Sequence, residues 1–407
     1  MTIPEFGNKS RPIGERDQPP KSGMVQDSIM FVLRKTLYPE RFNKVVRPML
    51  YAVCRNDPEN VHELVLQTMH ASRRFSNMVA PFFAPPKNLT VKINGVDVAP
   101  FGTSAGMDKN GEALDMFGSI FGFQESGTVV LHPREGNQKP RVATDEKSMD
   151  LYNAQGFPSK GIDYFLKNIA EYRDKGGKGI VYVSVCGLPI SEKNAVDVAM
   201  SEMEEITARL NHFVDGLVWN PFSPNTAALK LLREPEIFYR TAKIMAQWAP
   251  NKLRLVKMGP YEPAEKRNSI KLLGRFLDGG GHGMAGPNTK MTQKDQLPEW
   301  VRKDWGYGSA GRSGAFLKEY RLRSVSDARM AFPDAVIIGT GGIFTDDAYP
   351  TFMAGANMIA GYTPYAYYGP GLVKTIMEKV SRELMRNGFE DMEQLQTSIR
   401  DIARKGS

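Results

Sequence analysis

The sequence is poor in cysteine: its 407 residues include only two, Cys54 and Cys186. They lie far apart in the chain, and they form neither a disulfide framework nor the paired spacing that is typical of zinc sites. We therefore expect a reducing compartment, and the sequence predicts no metal site.

Long apolar runs are also missing. No segment approaches the roughly 18 consecutive apolar residues that a membrane-spanning helix needs. Residues 1–23 lack the apolar stretch of a secretory signal, and their proline, glycine and charged residues predict a disordered tail. These absences favour a cytosolic or peripheral membrane protein.

Basic residues exceed acidic ones, and the formal net charge is +8. An anionic substrate, an anionic membrane surface and nucleic acid would each fit such an excess. However, no run of lysine and arginine is interleaved with aromatic residues. Nucleic acid is therefore not expected as a partner.

Residues 24–80 have the pattern of a helical segment. From Asp27 onwards apolar residues recur at helical spacing, and Pro39, Pro48 and Pro58 predict breaks between two or three short amphipathic helices. Between residues 26 and 56 the positive charges exceed the negative ones by four. Such helices can lie on an anionic bilayer or can merely cap the main domain, and the pattern alone leaves both possibilities open.

Residues 88–390 predict an α/β fold, a (β/α)8 or TIM barrel. The stretch "LTVKINGVDVAP" predicts a hairpin that turns at Asn94 and Gly95. Eight apolar runs, suited to buried parallel strands, then alternate with helical stretches. The runs cover residues 99–106, 121–127, 180–186, 215–220, 253–259, 281–286, 335–342 and 357–363. The run "GHGMAG" (281–286) is the weakest of these, and residues 391–407 predict a polar C-terminal helix or tail.

Polar side chains follow many of the predicted strands, at the end where barrel enzymes place their chemistry. These residues are Lys109, Asn153, Asn220, Ser223, Lys257, Asn288 and Thr289. Lys257 lies within an apolar strand and requires an anionic or electron-rich partner, because a buried unpaired ammonium is costly. A flavin ring that carries negative charge when reduced would serve.

Glycine-rich stretches follow the last two strands. "GTGG" (339–342) and "GYT" (361–363) offer backbone N–H groups that no side chain blocks, and "GRSG" (311–314) adds further donors. Barrels commonly bind phosphate at this place. The sequence therefore predicts a phosphorylated ligand or cofactor.

A series of ordered motifs carries a resemblance to a known family. The motifs are "GTSAGMDKNGEALD", "GNQKPRV", "NAQGFPSKG", "SPNT", "VKMG", "PNTK", "GRSG", "IIGTGGI" and "AGANMIAGYT". In order and spacing they resemble the dihydroorotate dehydrogenases, specifically the membrane-associated, quinone-reducing class, over roughly residues 42–383. The stretch "VVRPMLYAVCRNDPENVHEL" resembles the end of that class's N-terminal helical pair.

The resemblance implies an FMN-dependent oxidation of (S)-dihydroorotate to orotate, in pyrimidine biosynthesis, with a membrane quinone as electron acceptor. In the family a base removes the C5 proton while C6 delivers a hydride to the flavin. The matching base is Ser223, and Thr226 and Phe157 match the positions beside the proton relay. A serine here, in place of cysteine, is typical of the quinone class. The implied location is peripheral, on the cytoplasmic face of the cell membrane if the source is bacterial.

The resemblance also implies two sets of binding residues. The substrate set is Lys109 for the carboxylate, with Asn153, Gly156, Phe157, Asn220, Asn225, Asn288 and Thr289 around the ring. The FMN set is Ser104, Ala105, Gly106, Thr128, Ser184, Asn220, Lys257, Ser313, Gly314, Gly341, Gly342, Tyr362 and Thr363.

Some positions depart from the family pattern. Ser184 replaces an asparagine near the flavin, "CGLP" replaces a lysine-containing run, and Thr144 aligns with an arginine on the quinone side. Two alternatives stay open: a paralogue that oxidises another cyclic amide or uses another acceptor, and a flavin-binding, membrane-docking protein without turnover. Retention of Lys109, Ser223 and the four asparagines favours the dihydroorotate reaction.

Overall fold

The computed structural model describes residues 38–190 and 193–406. The predicted tail at residues 1–23 and the first part of the predicted helical segment lie outside the described residues.

Eight parallel strands form a closed barrel, with each strand beside its neighbour in the sequence. They are β1 (Phe101–Thr103), β2 (Phe123–Val129), β3 (Ile180–Val185), β4 (Gly216–Trp219), β5 (Leu253–Lys257), β6 (Gly283–Gly286), β7 (Val336–Thr340) and β8 (Met358–Gly361). The barrel closes where Ala360 of β8 pairs with Gly102 of β1. The predicted barrel is confirmed, including the weak run that forms β6.

The barrel strands are buried on both faces because helices cover the outside and side chains fill the inside. All seven residues of β2 are buried, as are all five of β5. The outer helices are Leu114–Ile120, Gly161–Asp174, Ala195–Leu210, Pro235–Trp248, Lys266–Asp278, Lys318–Ala331, Ala348–Met353, Thr363–Tyr368 and Gly371–Arg386, and Met392–Gly406 follows them. Short 3-10 turns occur at Lys87–Leu89, Ala227–Leu232, Pro263–Glu265, Lys294–Gln296 and Ala315–Leu317.

The predicted hairpin is present, with strands Val91–Ile93 and Val96–Val98. Its turn residues have positive φ angles, +49° at Asn94 and +81° at Gly95, as a tight two-residue hairpin turn requires. The Asn94 side chain donates a hydrogen bond to the carbonyl of Asn251, just before β5 begins. The hairpin therefore lies at the amino-terminal end of the barrel.

A second, four-stranded antiparallel sheet lies beyond the other end of the barrel; we call it the cap sheet. Its strands, in spatial order, are Lys290–Gln293, Ser309–Gly314, Asp150–Asn153 and Val142–Asp145. With helix Glu299–Asp304 it encloses a small core of its own around Tyr152, Leu297 and Trp305. One expectation is corrected here: Asn153 ends a strand of the cap sheet and not of the barrel. The stretch "GRSG" forms the end of the strand Ser309–Gly314, ahead of a helical run as expected.

The helical segment, as described, comprises residues 39–83. It consists of Pro39–Arg41, a π-helical turn at Phe42–Val46, Arg47–Val53, Pro58–Ala71, a 3-10 turn at Arg73–Phe75 and Ser76–Phe83. The predicted break at Pro48 is wrong: the chain stays helical from Pro39 to Val53, through the π-helical turn and into the helix that contains this proline. The predicted break at Pro58 is confirmed: the preceding helix ends at Val53, and Asp57 caps the next one, since its carboxylate accepts from the backbone N–H of Glu59 at 2.8 Å.

Within the described ranges, every helix is too short or too polar to cross a lipid bilayer.

Candidate active site

The carboxyl ends of the barrel strands and the cap sheet enclose a cavity of about 1040 Å³, including its open mouth. Most of the predicted site residues line it. They are Ser104, Ala105, Gly106, Lys109, Thr128, Asn153, Gly156, Phe157, Asn220, Ser223, Asn225, Lys257, Asn288, Thr289, Ser313, Gly341, Gly342, Tyr362 and Thr363. Ser184, Thr226 and Gly314 were also predicted, and they do not line the cavity.

Two of the four asparagines form a pair near the cap sheet. Asn225 donates to the side-chain oxygen of Asn153 at 2.6 Å, and Asn153 donates to the Gly311 carbonyl at 3.1 Å. The remaining N–H of each side-chain amide, and the second lone pair of each oxygen, stay available to a ligand. The pair therefore offers both donors and acceptors to a planar amide ring.

The other two asparagines begin a second chain of hydrogen bonds. Asn288 donates to Asn220 at 3.0 Å, Asn220 donates to the Thr128 hydroxyl at 3.1 Å, and that hydroxyl lies 2.9 Å from the Ser184 hydroxyl. Ser184 is fully buried and lies one layer behind the cavity wall. Its hydroxyl reaches the cavity wall through Thr128, and a contact between Ser184 and a cofactor stays a prediction.

Lys109 brings a positive charge to the cavity wall. It makes no hydrogen bond or ion pair with any residue that the structure describes. Burial lowers the pKa of Lys109, while the nearby carboxylate of Glu59 opposes that shift. A partly buried ammonium without a hydrogen-bond partner in the described protein is a suitable site for an anion such as a carboxylate.

Ser223 lies in the cavity wall between Asn220 and Asn225, in the loop after β4. Its hydroxyl makes no hydrogen bond within the described residues. The Thr226 hydroxyl is buried and also lacks a partner there. The structure therefore does not join Ser223 and Thr226 by a direct hydrogen bond, and the relay stays a prediction.

Gly156 and Phe157 shape the wall on the cap-sheet side. Both have left-handed backbone angles, +69° and +58°. A side chain at residue 156 would approach the Asn137 side chain to 2.6 Å, so only glycine fits. Asn137, whose amide donates to the Ala154 carbonyl at 2.7 Å, holds this loop and was not predicted.

The predicted phosphate site lies where β7 and β8 end. We call its residues, Ser313, Gly341, Gly342, Tyr362 and Thr363, the phosphate cradle. The Ser313 and Thr363 hydroxyls lie 2.9 Å apart, and a Cβ at Gly342 would come within 1.9 Å of the Gly314 carbonyl oxygen. Gly314 thus supports the cradle from behind. Its glycines and hydroxyls form a close-fitting donor set, and this set fits the phosphate of a flavin nucleotide.

Lys257 has an anionic partner within the protein. Its ammonium donates to both carboxylate oxygens of Glu125, at 3.0 and 2.9 Å, and both side chains are buried. The sequence analysis expected an anionic partner but missed Glu125. A signal existed, because Glu125 and Lys257 are charged residues, each within a strand that is buried throughout.

The helical segment contacts the cavity wall through His62. Its ring stacks on the ring of Tyr362, with the centroids 6.0 Å apart. Burial, with a further contribution from Lys109, holds the pKa of His62 well below its ordinary value, so its ring is neutral at pH 7. Close by, Glu59 pairs with Arg141 at 2.8 Å and fixes the helix Pro58–Ala71 to the loop before the cap sheet.

Comparisons with known proteins agree with this architecture. The family model described as dihydroorotate dehydrogenase matches residues 88–384. A protein of Erythrobacter litoralis named dihydroorotate dehydrogenase (quinone) is 29% identical over 362 residues, covering 86% of this chain and 97% of its own. One of the same name from Rhodospirillum rubrum is 30% identical over 348 residues, with 83% and 90% covered.

Solved structures give the same result. The crystal structure of DHODH in complex with ferulenol from Eimeria tenella superposes with a TM-score of 0.71 at 26% sequence identity, covering 83% of this chain and 94% of that one. The match of the family model extends over most of the barrel, from the hairpin to the last barrel helix. The chain therefore belongs to the dihydroorotate dehydrogenase family of oxidoreductases.

Proposed function

We propose that this protein oxidises (S)-dihydroorotate to orotate with FMN as cofactor and passes the electrons to a membrane quinone, a step of de novo pyrimidine biosynthesis. One observation carries the proposal. A free ammonium, two pairs of asparagines and a free serine hydroxyl converge on a single cavity, which also contains a phosphate cradle.

The polar groups of the cavity match those of the substrate. Lys109 binds the carboxylate, which supplies the negative charge that the ammonium lacks within the protein. The two asparagine pairs bind the ring amides, because each side-chain amide is both donor and acceptor. Together these contacts fix the position and orientation of the ring that the reaction needs.

Ser223 accepts the C5 proton of the bound ring. A serine hydroxyl is a weak base, so proton removal also depends on the way the site orients the substrate and on a relay that accepts the proton. The loop that carries it is bounded by Asn220 and Asn225, one from each asparagine pair, so the substrate that these residues bind lies beside the hydroxyl. The proton then passes towards Thr226, three residues along the chain, whose buried hydroxyl has no other hydrogen-bond partner in the described protein.

The flavin, when bound, supplies two-electron acceptor chemistry. The phosphate cradle would hold its phosphate, and Thr128 and Lys257 would lie along its ring. Glu125 holds the Lys257 ammonium in place through two hydrogen bonds before any ligand binds.

The quinone acceptor is supported by the names of the relatives and by the surface of the helical segment. Val45, Met49 and Val53 are 46%, 64% and 74% exposed, and basic Lys44 and Arg55 lie beside them on the surface. An exposed apolar face with basic neighbours suits peripheral attachment to an anionic membrane.

Arg47 does not belong to that surface, although it was counted in the basic excess. It is buried, and its guanidinium lies 4.5 Å from the ring centre of Tyr51 and 4.6 Å from that of Tyr367. Thr144 stands where the family has a quinone-side arginine, and it lies on the cap-sheet strand next to the helical segment. Because of this replacement, the identity of the electron acceptor is the first point to test.

The test is a panel of acceptors offered to the purified protein with dihydroorotate as donor. We expect turnover with a short-chain ubiquinone analogue, and none with fumarate or a nicotinamide. Turnover with fumarate or a nicotinamide alone would reject the quinone and leave the dihydroorotate half-reaction standing. Turnover with another cyclic amide in place of dihydroorotate would favour the paralogue.

A further inference from the structure

A buried arginine lies behind the phosphate cradle. Arg321, on the helix Lys318–Ala331, is completely buried and does not line the cavity. Burying a guanidinium is costly unless its charge and its donors are used. The position of Arg321 therefore calls for a function.

Arg321 holds one peptide of the cradle. Its Nη1 donates a hydrogen bond to the Gly341 carbonyl oxygen. In a trans peptide the carbonyl and the following N–H point in opposite directions. Because the Gly341 carbonyl points towards Arg321, behind the cavity wall, the N–H of Gly342 points towards the cavity. That N–H donates no hydrogen bond to the described backbone.

The charge of Arg321 is only partly neutralised. Its Nη2 lies 3.3 Å from a carboxylate oxygen of Asp347, and Lys318 lies 3.2 Å from the same oxygen. The Nε and Nη2 of Arg321 have no hydrogen-bond partner within the described residues. Glu319, the other acidic neighbour, is exposed and is therefore screened by solvent. A positive charge thus remains behind the cradle.

The cavity wall itself cannot neutralise a phosphate. Lys109 and Lys257 are the charged residues of the lining. The first is assigned to the substrate carboxylate, and the second already pairs with Glu125. The cradle residues are all neutral, so a phosphate dianion bound there would find hydrogen-bond donors but no counter-charge in direct contact.

We propose that Arg321 is a positioning residue for the cofactor phosphate: it orients the Gly342 N–H and supplies, from behind the wall, the positive charge that makes the site select a phosphorylated flavin. This inference rests on the proposed FMN cofactor. A charge one peptide away acts through a medium of intermediate dielectric, where opposite charges attract each other more strongly than they do in water.

The test compares two flavins on the full-length protein. Holoprotein is equilibrated with excess FMN and riboflavin together, and the bound flavins are then released and quantified. In the wild type we expect a strong preference for FMN. Arg321→Met should lower the ratio of bound FMN to riboflavin on the order of tenfold or more, whereas Arg321→Lys should restore part of it.

A matched control separates selectivity from stability. Arg329 lies on the same helix, is also buried, and donates to the carbonyls of Gly355 and Ala335, away from the cavity. Arg329→Met should lower the thermal midpoint and leave the ratio of flavins unchanged. A folded Arg321→Met protein with a wild-type ratio would overturn the inference.

A second variant covers the case in which Arg321→Met does not fold. Asp347→Asn keeps Arg321 and removes its counter-charge, so it should raise the preference for FMN. An unchanged or lower preference would overturn the inference. A wild type that binds riboflavin as well as FMN would instead reject the phosphorylated cofactor itself.

The pH dependence gives an independent readout. The second pKa of a phosphate monoester is about 6, so FMN should be held more tightly at pH 7.5 than at pH 5.5 by a site that favours the dianion. Arg321→Met should flatten this dependence, and Arg321→Lys should keep it. A profile that is equally steep in folded Arg321→Met would contradict the role of the charge.

Discussion

Ser223 is the residue on which the proposed chemistry depends. Its hydroxyl lies free in the cavity wall, with an asparagine of each pair close by in the same loop. We expect Ser223→Ala to slow the reduction of the bound flavin by dihydroorotate by roughly 10² or more, the usual scale for loss of a general base. Stopped-flow absorbance under anaerobic conditions measures this rate.

Orotate affinity provides the control for Ser223→Ala. Removing one hydroxyl leaves Lys109 and the asparagines in place, so the dissociation constant of orotate should change little. A wild-type rate of flavin reduction in Ser223→Ala would show that another group removes the proton.

Lys109 gives the site a dependence on pH. Burial lowers the pKa of its ammonium, and only the charged form pairs with a carboxylate. Binding of orotate therefore raises this pKa, so affinity is full below the pKa of the free site and falls as the pH rises through it. The fall should begin at a lower pH than for an exposed lysine.

A titration of orotate against the visible flavin spectrum at increasing pH measures this fall. Lys109→Gln should bind orotate more weakly at neutral pH, by several kcal/mol at most, and should show no such dependence. If Lys109→Gln retained the wild-type affinity, Lys109 would not be the carboxylate partner.

At the residue scale, the sequence predicted which side chains meet, but not how they are arranged. Residues that match a motif at a strand end, such as Lys109 and Ser223, could be predicted from their position in the sequence alone. Glu125 and Arg321 were not, because each acquires its importance from a partner more than 15 residues away in the chain. Ser184 was also predicted as a binding residue, and it lies behind Thr128 and outside the cavity lining, a difference that a sequence does not show.

The helical segment carries the prediction for membrane attachment. Met49 and Val53 lie exposed on the same short helix. Replacing both with serine should weaken sedimentation with anionic liposomes by about tenfold or more, since each side chain contributes up to about 1.5–3 kcal/mol when it leaves water. Reduction of the bound flavin by dihydroorotate should stay at the wild-type rate, because the cavity lies elsewhere.

Val96 supplies the matched control for that experiment. It is 52% exposed, but it belongs to the hairpin at the opposite end of the barrel. Val96→Ser should bind liposomes as the wild type does. Equal losses in Val96→Ser and in the Met49→Ser, Val53→Ser double variant would mean that the helical segment is not the attachment surface.

At the scale of elements, local patterns were sufficient for the barrel and insufficient for the cap sheet. Most barrel strands lie in short, mainly apolar runs between helical stretches, and the Asn94-Gly95 turn is specified by two neighbouring residues. In the cap sheet Asp150–Asn153 pairs with Ser309–Gly314, about 160 residues further along the chain. A local sequence pattern does not identify a strand partner at that distance. The predicted break at Pro48 failed because the preceding π-helical turn carries the helix into it.

The whole molecule should lose stability in mild acid, in part through His282. This residue lies at the amino-terminal end of β6, beside the guanidinium of Arg254, and burial together with that charge lowers its pKa to about 4. In the unfolded chain His282 has an ordinary histidine pKa of about 6.5. Between about pH 6.5 and pH 4 the unfolded chain therefore binds a proton at this residue that the folded protein does not bind. Stability is therefore lost as the pH falls from about 6.5 towards 4.

Urea unfolding at several values of pH across this window measures the effect. His282→Gln removes the titrating group and keeps a polar side chain beside Arg254, so its stability should fall less steeply than that of the wild type. Parallel curves for the two proteins would assign the acid sensitivity to other groups. Because His282 lies at the end of the barrel opposite the cavity, flavin content should not differ between them.

The central claim is that this cavity removes two hydrogens from dihydroorotate, and anaerobic bleaching of the purified yellow protein tests it most directly. We predict that dihydroorotate bleaches the visible flavin absorbance, that one orotate forms per flavin, and that a ubiquinone analogue then restores the colour. Persistence of the colour with excess dihydroorotate, in protein that contains flavin and binds orotate, would contradict the account.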